Sequence, residues 1–210
     1  MSTLLTETFV GARETYRHGD LPDALGAAAL RLVRELGVEA FSLRQAAREV
    51  GVDVAAVYRH YSNKEDLLRA VARVGFVALG EAMAAERAAA IGAEDRFRAV
   101  GRAYVGFAVR EPRLFRLMFG PFGAGGPAPL FDDGQSPAWA ALHEGLQELQ
   151  SVGACVRPIS DAAAAAWAVV HGLATLRVEG PIAGADADAR TEAVLDILLA
   201  GLGTSDAPPR

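Results

Sequence analysis

The side chains best suited to binding chemistry lie close together near the N-terminus. A phenol, a guanidinium and an imidazole follow one another at Tyr58, Arg59 and His60, and Lys64 is the only lysine in the chain. All four can donate hydrogen bonds, and the arginine and lysine carry positive charge. Such groups bind phosphate oxygens. The stretch therefore predicts anion binding rather than bond-making chemistry.

The remaining sequence lacks the spacings of enzymes and metal sites. It has no phosphate-binding loop ending in Gly-Lys-Ser/Thr, no paired-histidine zinc motif and no Gly-x-Ser-x-Gly turn. The segment from Gly123 to Ala128 superficially fits a dinucleotide fingerprint, but it follows no predicted strand and opens no predicted helix. Four scattered histidines and one cysteine show no metal-ligand spacing. We predict that the protein is not an enzyme and holds no metal or cofactor.

Apolar residues at helical spacing predict a helix on each side of two short ones. The first helix covers 20–36, with Asp20 as its cap and Gly37 at its end. The second begins at a capping box made by Ser42 and Gln45.

The two helices that follow complete this pattern. The third runs from Asp53 to Tyr61, and the fourth starts at a capping box of Ser62 and Glu65 and continues to about Ala89. Two short helices joined by a turn at Gly51 and flanked by longer ones are typical of a helix-turn-helix.

The pattern stays helical beyond Gly92. Further helices are predicted around 97–107 and over 112–119, 136–151, 160–179 and 186–202. Residues 120–135 carry five glycines and three prolines and predict a loop, and 203–210 predict a frayed tail. No segment is a convincing strand. The expected fold is all-α, with about nine helices in a three-helix head and a larger helical body.

Charge is unevenly distributed along the chain. Residues 13–73 hold ten Lys and Arg against nine Asp and Glu, or +1. The rest holds eleven against seventeen, or −6, and the two add to the net charge of −5. A slightly basic end on an acidic body fits local contact with a polyanion rather than indiscriminate coating of nucleic acid.

The sequence also predicts the cellular compartment. Cys155 is the only cysteine, so no intrachain disulfide can form, and a reducing compartment is expected. Residues 1–10 lack the pattern of a signal peptide. The longest apolar run, 162–176, is shorter than a bilayer span. We predict a cytoplasmic protein without membrane contact.

The stretch FSLRQAAREVGVDVAAVYRHYSNKEDLL, residues 41–68, closely resembles the DNA-binding segment of the tetracycline-repressor (TetR) family. The lead-in over 16–21 resembles that of one branch of the family, and Trp167 with His171-Gly172 resembles its tryptophan/histidine-glycine type of sensor domain. The resemblance implies a DNA-binding domain over 13–63. It also implies a ligand-binding and dimerisation domain over 64–202, with the fourth helix as connector.

In a helix-turn-helix the second short helix lies in the major groove. Val54, Ala55 and Ala56 are then expected to face base edges, although they cannot hydrogen-bond, so base selection would rest on thymine methyls, on Arg44 and on DNA shape. The phosphate contacts expected from this geometry come from Ser42, Arg44, Tyr58, Arg59, His60 and Lys64. Arg44 could read a guanine instead, and Tyr58 and His60 could pack inside the protein. Arg59 and Lys64 could be ordinary solvated surface charges. Tyr61 is assigned to the core.

The ligand-binding residues expected in the body are Arg102, Tyr104, Phe107, Trp139, His143, Trp167 and His171. For Trp167 and His171 a structural role is the preferred alternative. Small residues such as Gly101, Gly145 and Gly172 are expected to leave room for a pocket among helices five to eight.

The resemblance implies a homodimer through the last two helices, a palindromic double-stranded DNA operator and a small-molecule effector that releases a repressor from DNA. Val169, Leu173 and Leu176, with Val194, Leu195, Leu198 and Leu202, are expected to form the dimer contact. The rival interpretation is a ligand-binding or interaction protein that keeps this fold without operator binding. The non-polar start of the recognition helix and the acidic net charge motivate it.

Overall fold

The computed structural model describes residues 21–120 and 137–204. Within these ranges it contains nine helices and no strand, which confirms the all-α prediction. The helices are α1 (Leu21–Leu36), α2 (Leu43–Val50), α3 (Val54–Val57), α4 (Lys64–Ala89), α5 (Ala93–Arg110), α6 (Pro112–Phe119), α7 (Pro137–Ser151), α8 (Ile159–Glu179) and α9 (Ala187–Gly203). Asp20, the segment 121–136 and the tail 205–210 lie outside the described residues.

Helix α2 starts and ends as its sequence predicts. The Ser42 hydroxyl accepts the Gln45 N–H at 3.3 Å and donates to the Gln45 side-chain oxygen at 2.8 Å. At the other end Gly51 has φ +79°, a left-handed conformation that glycine adopts without steric cost. This conformation lets the Val52 N–H reach the Ala47 carbonyl at 3.0 Å.

Helix α3 is shorter than predicted. Asp53 caps it by accepting the Ala55 N–H at 2.7 Å, but the helix ends at Val57 instead of Tyr61. The Arg59 and His60 N–H groups bond three residues back, at 3.3 and 3.0 Å, which is the spacing of a tighter turn.

The cap of α4 lies one residue later than predicted. The Asn63 side chain accepts the Asp66 N–H at 2.8 Å, and the Asp66 carboxylate accepts the Ser62 N–H at 3.0 Å. Asn63 is therefore the capping residue, Asp66 reaches back to the residue before it, and the predicted capping box of Ser62 with Glu65 is not formed. Asn, Ser and Asp are all good capping residues, so the local sequence fits both registers.

The chain divides into two compact units. Among the described residues, the head unit comprises 21–78 and 111–120, and the body unit comprises 79–110 and 137–204. The head unit thus contains α1 to α3, the first part of α4 and, from far along the chain, α6. Gly75 on α4 allows close packing of α6, because a Cβ there would lie 2.6 Å from the Met118 sulfur.

Helix α5 is the central helix of the body unit, in contact with α7, α8 and α9. A Cβ at Gly101 on α5 would lie 2.5 Å from a Leu195 methyl on α9, so this glycine permits close helix packing. Gly172 on α8 is exposed, with open space around it. The expectation that these two glycines leave room for a pocket was wrong, because one is filled by a neighbour and the other faces outward.

Helix α8 has 21 residues and is, among the described residues, the one helix long and apolar enough to cross a bilayer. Helix length therefore does not exclude a span, contrary to the estimate from residues 162–176. The evidence for a span is weak, since core helices of soluble proteins have the same length and composition. Only a third of its most apolar window is buried, so much of α8 is open to a partner.

Candidate nucleic-acid interface

Helix α3 presents small apolar side chains to the outside of the head unit. Ala55 is exposed, Val54 and Ala56 are half-buried, and Val57 is fully buried. Burial of the Val57 side chain holds α3 against the rest of the head unit. The predicted recognition positions therefore form an accessible surface that offers methyl groups and no hydrogen-bonding side chain.

The turn after α3 carries the predicted donors. Tyr58, Arg59 and His60 are all exposed, with 56% of the Tyr58 surface accessible. Tyr61 points inward: its hydroxyl donates to the Pro22 carbonyl at 3.2 Å, and burial is the main cause of a raised pKa for this phenol. The turn after α3 therefore leaves Tyr58, Arg59 and His60 exposed and directs Tyr61 into the protein.

The arginines of the head unit fall into two classes. Arg31 pairs with Glu49 at 2.7 Å and Arg69 with Asp66 at 2.6 Å. By contrast, Arg44, Arg48 and Arg59 are exposed and have no ion-pair or hydrogen-bond partner in the part of the chain that the structure describes. An arginine without a carboxylate partner can bind a phosphate without first losing an ion pair.

Sequence reasoning missed Arg48. It lies one turn after Arg44 on α2, and the i, i+4 spacing places both on one helix face. This spacing is visible in the sequence. Only the structure shows that the neighbouring Glu49 pairs with Arg31 and not with Arg48.

Lys64 has a structural role that the sequence did not indicate. Its ammonium donates to the Val38 carbonyl at 2.7 Å and to the Glu39 carbonyl at 3.5 Å, and it lies 5.8 Å from the centre of the Phe41 ring. An ammonium has three donors, so one is left over. The phosphate contact expected of Lys64 stays a prediction.

The body unit contains a hydrogen-bonded aromatic cluster. The Tyr104 hydroxyl on α5 lies 2.9 Å from His171 Nδ1 on α8, and Trp167 stacks on the imidazole with a centroid distance of 5.1 Å. Tyr104 also hydrogen-bonds to Trp167. Because an indole N–H can only donate, the phenol accepts from Trp167 and is left to donate to His171.

Burial controls the protonation of this cluster. It raises the pKa of the Tyr104 phenol strongly and lowers the pKa of the His171 imidazole. Both groups are therefore neutral near pH 7. Neutral groups on a half-buried aromatic surface suit an apolar ligand with a single polar group better than an ion.

The other predicted ligand residues do not all join this cluster. Arg102 lies on the surface and donates to Glu192 at 3.0 Å, and Phe107 is buried in the core. Trp139 and His143 on α7 form a second indole–imidazole pair, with ring centres 4.6 Å apart. The buried Nε2 of His143 has no hydrogen-bond partner among the described residues.

A small cavity of about 210 Å³ lies in another part of the body unit. Its lining residues are Ala84, Arg87, Ala88, Arg96, Ala141 and Glu144. Arg87 pairs across it with Glu144 and Glu148, and Arg96 also pairs with Glu148. These ion pairs make it a poor site for an apolar ligand.

Two family models match most of the chain. One described as "Bacterial regulatory proteins, tetR family" matches residues 25–71, and one described as "Tetracyclin repressor-like, C-terminal domain" matches residues 97–202. The second alone spans half of the chain. No curated protein matches the sequence.

Solved structures extend the similarity. A protein with unknown function from Rhodococcus sp. RHA1 is 33% identical, with a TM-score of 0.73 over 91% of this chain and 100% of that one. The fatty acid degradation regulator FadR from Bacillus halodurans is 17% identical, with a TM-score of 0.69 over 90% and 100%. A TetR family transcription regulator from Marinobacter aquaeolei VT8 is 17% identical, with a TM-score of 0.62 over 87% and 95%. The latter two likenesses concern the fold alone.

Proposed function

Because the chain belongs to the TetR family of DNA-binding transcriptional regulators, we propose that it represses transcription from a palindromic operator and that a small apolar effector releases it. Members of this family are transcription factors rather than enzymes. We assign DNA contact to residues 13–63, and effector binding and dimerisation to 64–202.

The observation that carries the DNA assignment is the set of exposed, unpaired donors beside α3. Arg44 and Arg59 lack carboxylate partners in the described part of the chain, and Tyr58 and His60 share the same turn region. They supply phosphate contacts that position the head without choosing a sequence, whereas Ser42, also predicted for this role, already donates its O–H to the Gln45 side chain. Val54, Ala55 and Ala56 contribute van der Waals contact with thymine methyls.

Selection of genomic fragments by the purified protein, followed by salt-dependent affinity measurements, tests this function. A repressor binds a palindromic fragment at least about 1,000-fold more tightly than random DNA. The same assay tests the rival function, a ligand-binding protein without an operator, which the lack of polar groups on α3 favours. Equal, weak binding to all fragments would support the rival and contradict our proposal.

We assign the dimer contact to the open faces of α8 and α9. Of the residues predicted for this role, Leu173, Leu195, Leu198 and Leu202 are buried within the single chain and are unavailable to a partner. The side chains that remain exposed are mostly small and apolar: Ala164, Ala165, Ala168, Gly172 and Leu176 on α8, and Ala193, Ile197, Ala200 and Gly201 on α9. Small residues allow two helix pairs to approach closely.

We assign effector binding to the Tyr104–Trp167–His171 cluster, with Nε2 of His143, buried and without a partner among the described residues, as a second candidate polar contact. Thermal-shift screening of apolar compounds that bear one hydroxyl or carbonyl group tests this assignment. A true effector stabilises the wild-type protein, stabilises Tyr104→Phe less, and releases DNA. Equal stabilisation of the two proteins would exclude the cluster.

A further inference from the structure

A single residue, Glu111, separates the central helix of the body unit from a helix of the head unit. Helix α5 ends at Arg110, and α6 begins at Pro112. Glu111 occupies the N-cap position of α6, yet its side chain makes no capping hydrogen bond. A carboxylate at a helix N-terminus would normally stabilise it, so the side chain is committed elsewhere.

The Glu111 carboxylate forms a two-pronged ion pair with Arg34 in the last turn of α1. Arg34 Nε lies 2.9 Å from one carboxylate oxygen, and Nη2 lies 2.7 Å from the other. Both side chains are about four-fifths buried, at 20% and 18% exposure. Paired hydrogen bonds of this kind are strong and require a specific geometry, so a small displacement of either partner disrupts them.

Arg113, in the first turn of α6, also binds the end of α1. Its guanidinium donates to the Arg34 carbonyl at 2.9 Å and also to the Glu35 carbonyl. The last carbonyls of a helix lack partners within the helix, and a cation there is favourable. The end of α1 is thus held by Arg113, which donates to two backbone carbonyls, and by Glu111, which pairs with the Arg34 side chain.

Helix α6 is also fixed to α4 within the head unit. Gly75 leaves space that Met118 and Leu114 fill, and the Phe76 ring meets the Phe119 ring edge-on at 5.3 Å. Helix α6 thus contacts both α1 and α4. Glu111 is also joined directly through the chain to Arg110, the last residue of α5.

We propose that the Arg34–Glu111 ion pair transmits effector binding from the body unit to the DNA-binding helices. Helix α5 carries Tyr104 of the aromatic cluster, ends beside Glu111 and so connects that cluster to α1. Glu111 and Arg34 are positioning residues that contact neither effector nor DNA. This inference rests on the proposed function, since it requires that DNA binding and effector binding are linked.

The test uses a DNA duplex as the probe, because linkage between two sites is reciprocal. Hydrogen exchange of the full-length wild-type protein is measured with and without a saturating amount of a duplex selected from genomic fragments. We expect DNA to change exchange in α2 and α3, and also in the last turn of α5 and around His171. In Glu111→Gln the change in α2 and α3 remains, whereas the change in the body unit is lost.

Two further variants separate transmission from mere stabilisation. Glu49→Gln breaks another arginine–glutamate pair of α1, that of Arg31, and leaves α6 untouched; we expect it to keep the body-unit response. The exchanged pair Arg34→Glu with Glu111→Arg is expected to restore at least part of the response. We expect Glu111→Gln to shift DNA affinity by about fivefold or more, within the usual range of couplings.

The outcomes are distinct. A body-unit response that persists unchanged in Glu111→Gln overturns the inference, and so does a wild-type protein that binds DNA tightly with no response in the body unit. If Glu49→Gln also loses the body-unit response, the Arg34–Glu111 pair only stabilises the head unit, and the inference is overturned. Failure of the wild-type protein to select any DNA would instead reject the proposed function.

Discussion

The turn after α3, to which we assign DNA contact, and the aromatic cluster, to which we assign effector binding, differ in whether their polar groups are already bonded within the chain. Arg44 and Arg59 are exposed, charged and without partners in the described chain, whereas Tyr104 and His171 are neutral, half-buried or buried, and bonded to each other. The first surface can bind a polyanion without breaking existing bonds. The second must exchange internal hydrogen bonds for new ones or bind beside them. Such an exchange gives a ligand a means to change the protein's conformation.

Removal of the unpaired charges should produce the largest effect. Arg44→Gln with Arg59→Gln deletes two positive charges per head and four per dimer. If each contacts a phosphate, the slope of log affinity against log salt falls by about 3–4, and affinity falls by at least about 100-fold at moderate salt. Fluorescence anisotropy over a salt series measures both quantities.

Arg69→Gln is the matched control for this double variant. Arg69 belongs to the same unit but is already paired with Asp66. We expect its salt slope to stay at the wild-type value. Equal losses in the control and the double variant would show that net charge, and not the predicted surface, determines affinity. Arg48→Gln then shows whether the residue missed by sequence reasoning adds about one further unit of slope per head.

The dimer surface provides the second test, since it is the other exposed surface to which we assign a partner. Ile197 on α9 is 72% exposed in the single chain. Ile197→Asp places a charge where an apolar side chain would be buried, and the dissociation constant of the dimer should rise by about 10- to 100-fold. Sedimentation velocity across a concentration series measures this change.

Ile91 offers a control of the same residue type. It is 86% exposed and lies in the turn between α4 and α5, outside both α8 and α9. Ile91→Asp is expected to leave the dimer unchanged. A dimer that tolerates Ile197→Asp and fails with Ile91→Asp would move the interface to that turn.

Lys64 differs from Arg44 and Arg59 because its side chain is already hydrogen-bonded within the chain. Lys64→Ala removes hydrogen bonds from a charged donor to the Val38 and Glu39 carbonyls, and should lower the free energy of unfolding by about 1–2 kcal/mol. If the third donor also binds phosphate, the salt slope falls by about 1 per head. Urea unfolding and the salt series separate the two roles, and a variant with wild-type stability would contradict the structural one.

His171 provides the smallest effect. Burial lowers the pKa of His171 in the folded protein. The unfolded chain then takes up the proton at a higher pH than the folded chain, so this contribution to stability is present above about pH 6.5 and is lost as the pH falls below it. The melting temperature of His171→Gln should decline less between pH 7 and pH 5 than that of the wild type. His60→Gln controls for the loss of an exposed imidazole, and identical declines in His171→Gln and wild type would contradict the burial effect.

Much of the helical fold could be predicted from the sequence, because periodicity and capping act over a few residues. The spacing of apolar residues predicts α1 and α4, and Ser42 with Gly51 encloses α2 as expected. The errors are also local: α3 ends at Val57, and the cap of α4 lies at Asn63. In each case neighbouring residues permit two arrangements, and in α3 the shorter helix accompanies the burial of Val57 and the inward hydrogen bond of Tyr61.

The sequence by itself determined the helix pattern, the family and the types of side chain near α3. Only the tertiary structure decided which of those side chains are free. Lys64 is drawn to carbonyls about 25 residues earlier in the chain, Arg34 to a carboxylate 77 residues away, and the predicted dimer leucines into their own core. Arg44 and Arg59 keep no such partner among the described residues. Partnership between distant residues depends on where helices pack, and no short-range pattern in the sequence encodes it.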